Sequence, residues 1–191
     1  MNKKKQRYLN SLYTYNSRRD EYEISLSLKN YEEIYNPFDY SQYKKRDMDE
    51  DFLDYIYHST LDIPLKHKVK LGFHLKEKTY DEEKSKNLKN AVKNNYKWRK
   101  SLVVNQLKDK LKECVLLFVV GIIFLILAFA VFPMINGNSG FLDVIGESIS
   151  IIGWVFLWDL TEILCFNVTK LHKKKRYLDR LINSRVEFET Y

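Results

Sequence analysis

The stretch Val115–Val168, VLLFVVGIIFLILAFAVFPMINGNSGFLDVIGESISIIGWVFLWDLTEILCFNV, decides how the rest of this chain is read. It contains no Lys or Arg, although 32 of the 191 residues are basic. Its first part, Val115–Ile135, runs for 21 residues without a charge. At about 1.5 Å per residue a helix of that length reaches roughly 30 Å, enough to cross a hydrocarbon core. Pro133 falls at its far end, where a missing backbone N–H costs least. Asn136–Gly140, NGNSG, is built from turn formers. The pattern predicts a two-helix transmembrane hairpin over residues 115–168 with its turn near 136–140.

The second helix of that hairpin is less uniform. Asp143 and Glu147 lie near one end, Asp159 and Glu162 near the other, and the uninterrupted part from Ser148 to Trp158 is eleven residues. It can still span, because carboxylates tolerate headgroup depth and a bilayer thins locally. Gly146, Ser150 and Gly153 share one helical face, and small residues there let a second helix come close. This face is expected to pack on the first segment or on another copy. Trp154 and Trp158 stand one turn apart, with Trp158 suited to the inner interface. Asp159 and Glu162, three apart, share a face. Antiparallel counting around the turn brings Glu162 to the depth of Glu113 and Lys112, with Lys110 in reach. Two readings stay open: an interfacial ion-pair network with Lys110 and Lys112, or an acidic pair that handles a cation or proton or meets a partner. Trp154, Trp158, Asp159 and Glu162 are the candidate membrane site.

Charge outside the stretch sets the orientation. The net charge is +7 with a pI near 9.2. Ten Lys/Arg lie between Lys84 and Lys112 and seven between Lys170 and Arg185, so both clusters flank the hairpin. That placement is a topology signal rather than a nucleic-acid patch, and the positive-inside rule puts both termini in the cytoplasm. Lys173, Lys174, Lys175 and Arg176 would sit at anionic headgroup level. The mean hydropathy of −0.42 mixes this apolar hairpin with a polar remainder. Cys114 and Cys165, at the inner ends of the two segments, make no disulfide framework.

Upstream, residues 1–20 have a basic head without an apolar core and read as a flexible basic tail rather than a signal peptide. Residues 21–78 read as a cytosolic βαβ portion. Ile24, Leu26 and Leu28 alternate in one strand, and Val69, Leu71, Phe73 and Leu75 alternate in another. Between them Asp47 or Asp49 can cap a short helix whose apolar face is Phe52, Tyr55 and Ile56. The two strands would be parallel with a right-handed crossover. Residues 79–114 read as a long amphipathic basic helix leading into the membrane, its stripe packing on the sheet or lying on the membrane surface. Residues 169–191 return as a helix and a strand, with Val186 and Phe188 alternating so as to join the same sheet. The expected fold class is a membrane α-helical hairpin plus a small cytosolic α+β domain.

No phosphate loop, G-x-S-x-G or H-E-x-x-H occurs. His58, His67, His74 and His172 show no ligand spacing with one another or with the cysteines, so no metal site, cofactor or catalytic residue is expected. The acidic run Asp47, Asp49, Glu50, Asp51, Asp54 reads as a helix cap and a solvated face, with a membrane-proximal hydrolase as a remote alternative.

Taken in order, the N-terminal strand, the Asn36-Pro37-Phe38-Asp39 loop, Asp51–Ile56, Ile63-Pro64, the strand Lys68–Leu75, Tyr96 and Arg99, the IIGWVFLW segment (Ile151–Trp158) and RVEF near the C-terminus resemble an uncharacterised family of small bacterial two-helix inner-membrane proteins. The resemblance covers roughly residues 21–189, with Gly153-Trp154, Trp158 and Glu162 its most specific part. It implies a bacterial inner-membrane protein with N-in, C-in topology and lends no catalytic residues. The function expected is a membrane-anchored interaction or assembly module, with an oligomeric pore or ion-handling assembly as the alternative. Expected partners are the lipid bilayer and a second copy or another membrane or cytosolic protein, without nucleic acid.

Overall fold

The computed structural model describes residues 3–40, 47–131 and 140–191. Pro133, the last residues of the first apolar segment and most of the expected turn lie outside the described residues. The chain is mostly helical, with a small four-stranded mixed sheet and two long apolar helices. It divides into two compact units, residues 1–101 with 175–191 and residues 102–174.

The first unit is built on the sheet β1 (Thr14–Asn16), β2 (Glu21–Leu28), β3 (Lys68–Leu75) and β4 (Arg185–Thr190), in that spatial order. β2, β3 and β4 are parallel and β1 is antiparallel to β2. The period-two pattern of the sequence becomes one apolar face: Ile24 pairs with Leu71 and Leu71 with Val186, while Leu26 pairs with Phe73 and Phe73 with Phe188. Ile24, Leu71, Phe73 and Leu75 are fully buried, and the rings of Phe73 and Phe188 stack 5.2 Å apart.

Helices supply the rest of this core. α2 (Glu50–Asp62) is capped by Asp49, whose side chain accepts from the Phe52 N–H at 2.8 Å. Its buried residues are Leu53, Ile56, Ser59 and Thr60, whereas Tyr55 is more than half exposed. The inward face is therefore rotated from the expected Phe52/Tyr55/Ile56 stripe, because Leu53, Ile56 and Thr60 also satisfy helical spacing. α3 (Glu82–Ile126) buries Leu88, Val92 and Tyr96 here. The Tyr96 hydroxyl donates to the Leu53 carbonyl at 2.9 Å, and burial holds that phenol above its ordinary pKa. α5 (Thr169–Ile182) contributes Tyr177, Leu178 and Leu181.

The expected flexible tail over residues 1–20 is replaced by α1 (Lys3–Leu12) and the edge strand β1. The helix is polar except for a few positions, and what seats it is Leu9, 1% exposed, with the Tyr22 hydroxyl donating to the Asn10 side chain at 3.1 Å. The turn into β2 uses Asp20 in the left-handed region at φ 51°, a conformation an Asp accepts more readily than most residues.

The second unit holds α3 from Leu102 onward, a π-helical turn at Leu127–Val131, α4 (Gly140–Glu162), a second π-helical stretch at Ile163–Val168, and the start of α5. Helices α3 and α4 meet at two glycines. A Cβ on Gly153 would lie 2.9 Å from Leu125 and 3.1 Å from the Gly121 carbonyl, and one on Gly121 would lie 3.2 Å from the Gly153 carbonyl. Only glycine lets the two backbones come this close. Phe124 and Phe156 stack beside the crossing at 5.8 Å. By length and composition Glu82–Val131 and Gly140–Ile182 each contain a window apolar enough to cross a membrane, with mean hydropathies of 3.3 and 1.7.

Candidate functional site

The face of the sheet opposite the core is a row of charges. Glu21 and Glu23 come from β2, Lys70 and His74 from β3, and Arg185, Glu187 and Glu189 from β4, all at alternate positions to the apolar residues. Lys70 stands at the centre, 7% exposed. Its Nζ lies 3.1 Å from Glu23 Oε2, 2.9 Å from Glu187 Oε2 and 3.0 Å from Glu189 Oε1. Burial alone would pull this ammonium down, but hydrogen bonds to the three carboxylates raise its pKa above the ordinary lysine value. Arg185 bridges Glu21 at 3.1 Å and Glu187 at 2.9 Å. Glu21 is 6% exposed, and burial pushes its carboxyl up despite the nearby cations.

Gly72, between Lys70 and His74 on the same face, makes this packing possible. A Cβ there would lie 2.1 Å from Glu23 Oε1, so the absence of a side chain lets the Glu23 carboxylate lie across β3. His74 Nδ1 is 3.7 Å from Glu189 Oε2, too long for a hydrogen bond. Glu23, His74 and Glu189 each present a potential ligand atom within 4.8 Å of the others. At the opposite end of the row an open cleft of about 430 Å³ is lined by Tyr15, Asn16, Arg18, Glu21, Lys70 and Arg185 among others.

Comparisons with protein-family models, curated proteins and solved structures return no match.

Two further polar groups serve the fold. Arg180 on α5 donates to the carbonyls of Pro64 (2.8 Å), Ile63 (3.0 Å), His67 (3.2 Å) and Thr60. It thus satisfies the C-terminal end of α2, where helix carbonyls lack partners and the dipole favours a cation. Burial lowers its pKa to about 10. His67 Nδ1 lies 2.5 Å from Asp20 Oδ1, and the Tyr15 hydroxyl donates to the same oxygen at 2.8 Å. These two hydrogen bonds hold the Asp20 carboxyl below its usual range.

Gly146 and Gly153 are buried, Gly153 against α3, while Ser150 turns its hydroxyl to the Glu147 carbonyl at 2.7 Å. Trp154 and Trp158 are 61% and 75% exposed, and Asp159 and Glu162 are exposed. The ion-pair network expected between these carboxylates and Lys110 or Lys112 does not form. Lys110 pairs with Glu113 at 2.6 Å and Lys112 with Asp109 at 3.5 Å, both along α3 itself, where a partner three residues away is nearer than one on another helix. Arg99 pairs with Asp54 at 2.7 Å within the first unit. Lys173, Lys174 and Arg176 are exposed and Lys175 half-buried. A groove of about 610 Å³ in the second unit is lined by Gln106, Lys110, Glu113, Asn167, Lys170 and Leu171, among others.

Sequence reading missed the charged row. Each strand alternates visibly, but which polar residues meet depends on the register between β2, β3 and β4. The one available signal was Gly72 in the middle of a strand, since an interior strand glycine often marks a close approach.

Proposed function

We propose that the chain is a multi-pass protein of a bacterial inner membrane, held by a two-helix hairpin with both termini cytoplasmic, and that its α+β unit is a non-enzymatic interaction and assembly module. The observation that carries the membrane part is the outward surface of α4. Its buried residues are Gly146 and Gly153, while Ile151, Trp154, Val155 and Trp158 stand more than half exposed. On α3 Leu116, Phe118 and Ile126 are equally exposed. An apolar surface of this extent is costly in water and favourable in lipid. The basic clusters on both flanks support the cytoplasmic placement of the termini, and the resemblance drawn above supports a bacterial inner membrane. The interaction part rests on the sheet, whose apolar face is buried and whose other face presents ordered charges without a nucleophile–base arrangement among the described residues.

Crosslinking in native membranes followed by mass spectrometry tests this reading. A crosslinked second copy or a reproducible partner is expected; a lone monomer would contradict it.

A second reading, an oligomeric pore or ion-handling assembly, is favoured by Asp159 and Glu162, exposed and with no ion-pair partner among the described residues. Two helices per subunit can enclose a path only as a multimer. Liposome conductance that survives Asp159→Asn with Glu162→Gln would remove this reading.

A further inference from the structure

We propose that Glu23, His74 and Glu189 form a binding site for a divalent transition-metal ion, with zinc the best fit, on the charged face of the sheet. The three residues come from three adjacent parallel strands, and one potential ligand atom of each lies within 4.8 Å of the other two. Ligands about 2.0–2.2 Å from a common tetrahedral zinc ion lie about 3.3–3.6 Å apart, so these donors need close by no more than about 1.5 Å to bind it. An imidazole nitrogen with two carboxylates suits zinc and its neighbours in the transition series, whereas magnesium and calcium prefer oxygen alone.

The carboxylates are already oriented. Lys70 holds Glu23 by Oε2 and Glu189 by Oε1, leaving Glu23 Oε1 and Glu189 Oε2 as the available donors. Glu189 Oε2 is the oxygen that faces His74 Nδ1 at 3.7 Å, a separation open to an ion that bonds both. Groups that fix ligands from behind in this way preorganise a metal centre. Gly72 is the second, independent sign. It leaves open the space into which Glu23 Oε1 extends, and any side chain would fill it.

Charge balance points the same way. Four carboxylates, Glu21, Glu23, Glu187 and Glu189, share two cations, Lys70 and Arg185, in the contacts that join the row. Two negative charges are left over, the number a dication neutralises. The other nearby bases, Arg18, Arg19 and Lys68, lie beside Glu21 at the far end of the row, so the excess lies toward His74. Three protein ligands leave a position open to solvent, as in sites that accept a further ligand. Bound metal would tie β2, β3 and β4 together on their charged face and give it an acceptor for a partner's donor atom.

The test is zinc binding to the full chain in detergent or nanodiscs after chelator treatment, read by competition with a chromophoric chelator. One equivalent is expected at micromolar or tighter affinity. His74→Ala and Glu189→Gln should each weaken it at least tenfold, while Glu83→Gln should not change it. Gly72→Ala removes no ligand, yet it should weaken zinc comparably by displacing Glu23. Cobalt replacement supplies a readout that survives a poorly folding variant: it should show d–d bands without thiolate charge transfer. Millimolar affinity, binding unaffected by His74→Ala, or a thiolate band from Cys114 or Cys165 would each overturn the proposal.

Discussion

The two units solve the problem of apolar surface in opposite ways. The first covers one face of a sheet with helices and keeps charge on the other, so Ile24, Leu71 and Phe73 are buried while Lys70 is held by three carboxylates. The second buries a few small side chains, among them Val103, Cys114, Ala128 and Val168, beside its glycine crossing and turns Trp154, Val155 and Trp158 outward. The contrast teaches that hydropathy alone does not describe this molecule. An apolar residue of the first unit is hidden, whereas much of the apolar surface of the second is exposed, as the proposed membrane placement requires.

Substitutions that weaken one unit should therefore spare the other. The largest effect is expected at Arg180. Arg180→Met leaves four carbonyls around the end of α2 without their donor, and buried acceptors left unsatisfied cost about 1–3 kcal/mol each. Hydrogen exchange on the full chain should show lost protection in β2 and β3 with α4 unchanged. Equal loss in both units would break the comparison.

Next is Gly153→Leu, which forces side-chain atoms into Leu125 and the Gly121 carbonyl. Overpacking of this kind costs about 1–3 kcal/mol. Spin labels on α3 and α4 should report a wider separation, with β-sheet protection intact.

Lys70→Met should cost about 1–2 kcal/mol, since hydrogen bonds to charged groups are strong but Glu187 and Glu189 are partly exposed and solvent screens them. The sign with pH is fixed by the raised Lys70 pKa. Its contribution is fully present below the ordinary lysine value of about 10.4 and is lost as pH rises through the higher folded value. The gap between wild type and variant should thus stay constant from neutrality to pH 9 and narrow above about pH 10. The smallest effect is expected at the surface pair Arg99–Asp54, where a double-mutant cycle should give about 0.2–1 kcal/mol.

Much of this architecture was legible because it is written in local periodicity. Alternation marked β2, β3 and β4, and an apolar stretch without Lys or Arg marked the apolar parts of both long helices. β1 and α1 were not legible. β1 is a three-residue edge strand, and α1 is seated by Leu9 and an Asn10–Tyr22 hydrogen bond, contacts that no window of sequence reveals. The rotation of α2 escaped notice because Phe52/Tyr55/Ile56 and Leu53/Ile56/Thr60 are both valid helical stripes, and only the sheet chooses between them. The interhelical ion pairs failed because depth counting ignores the nearer partners Glu113 and Asp109 on the same helix. The triad Glu23, His74, Glu189 is assembled by strand register across most of the chain, so spacing rules for metal ligands had nothing to act on.

We propose that the first unit stands in water and the second lies within a membrane, with both termini on one side. Thiol labelling in intact bacteria tests it most directly, in a background with Cys114 and Cys165 replaced by Ser. A membrane-impermeant maleimide should modify Asn138→Cys in intact cells and Ser17→Cys or Glu189→Cys only after permeabilisation. Labelling of all three positions in intact cells, labelling of none of them before permeabilisation, or release of the chain from membranes by alkaline carbonate would overturn this placement.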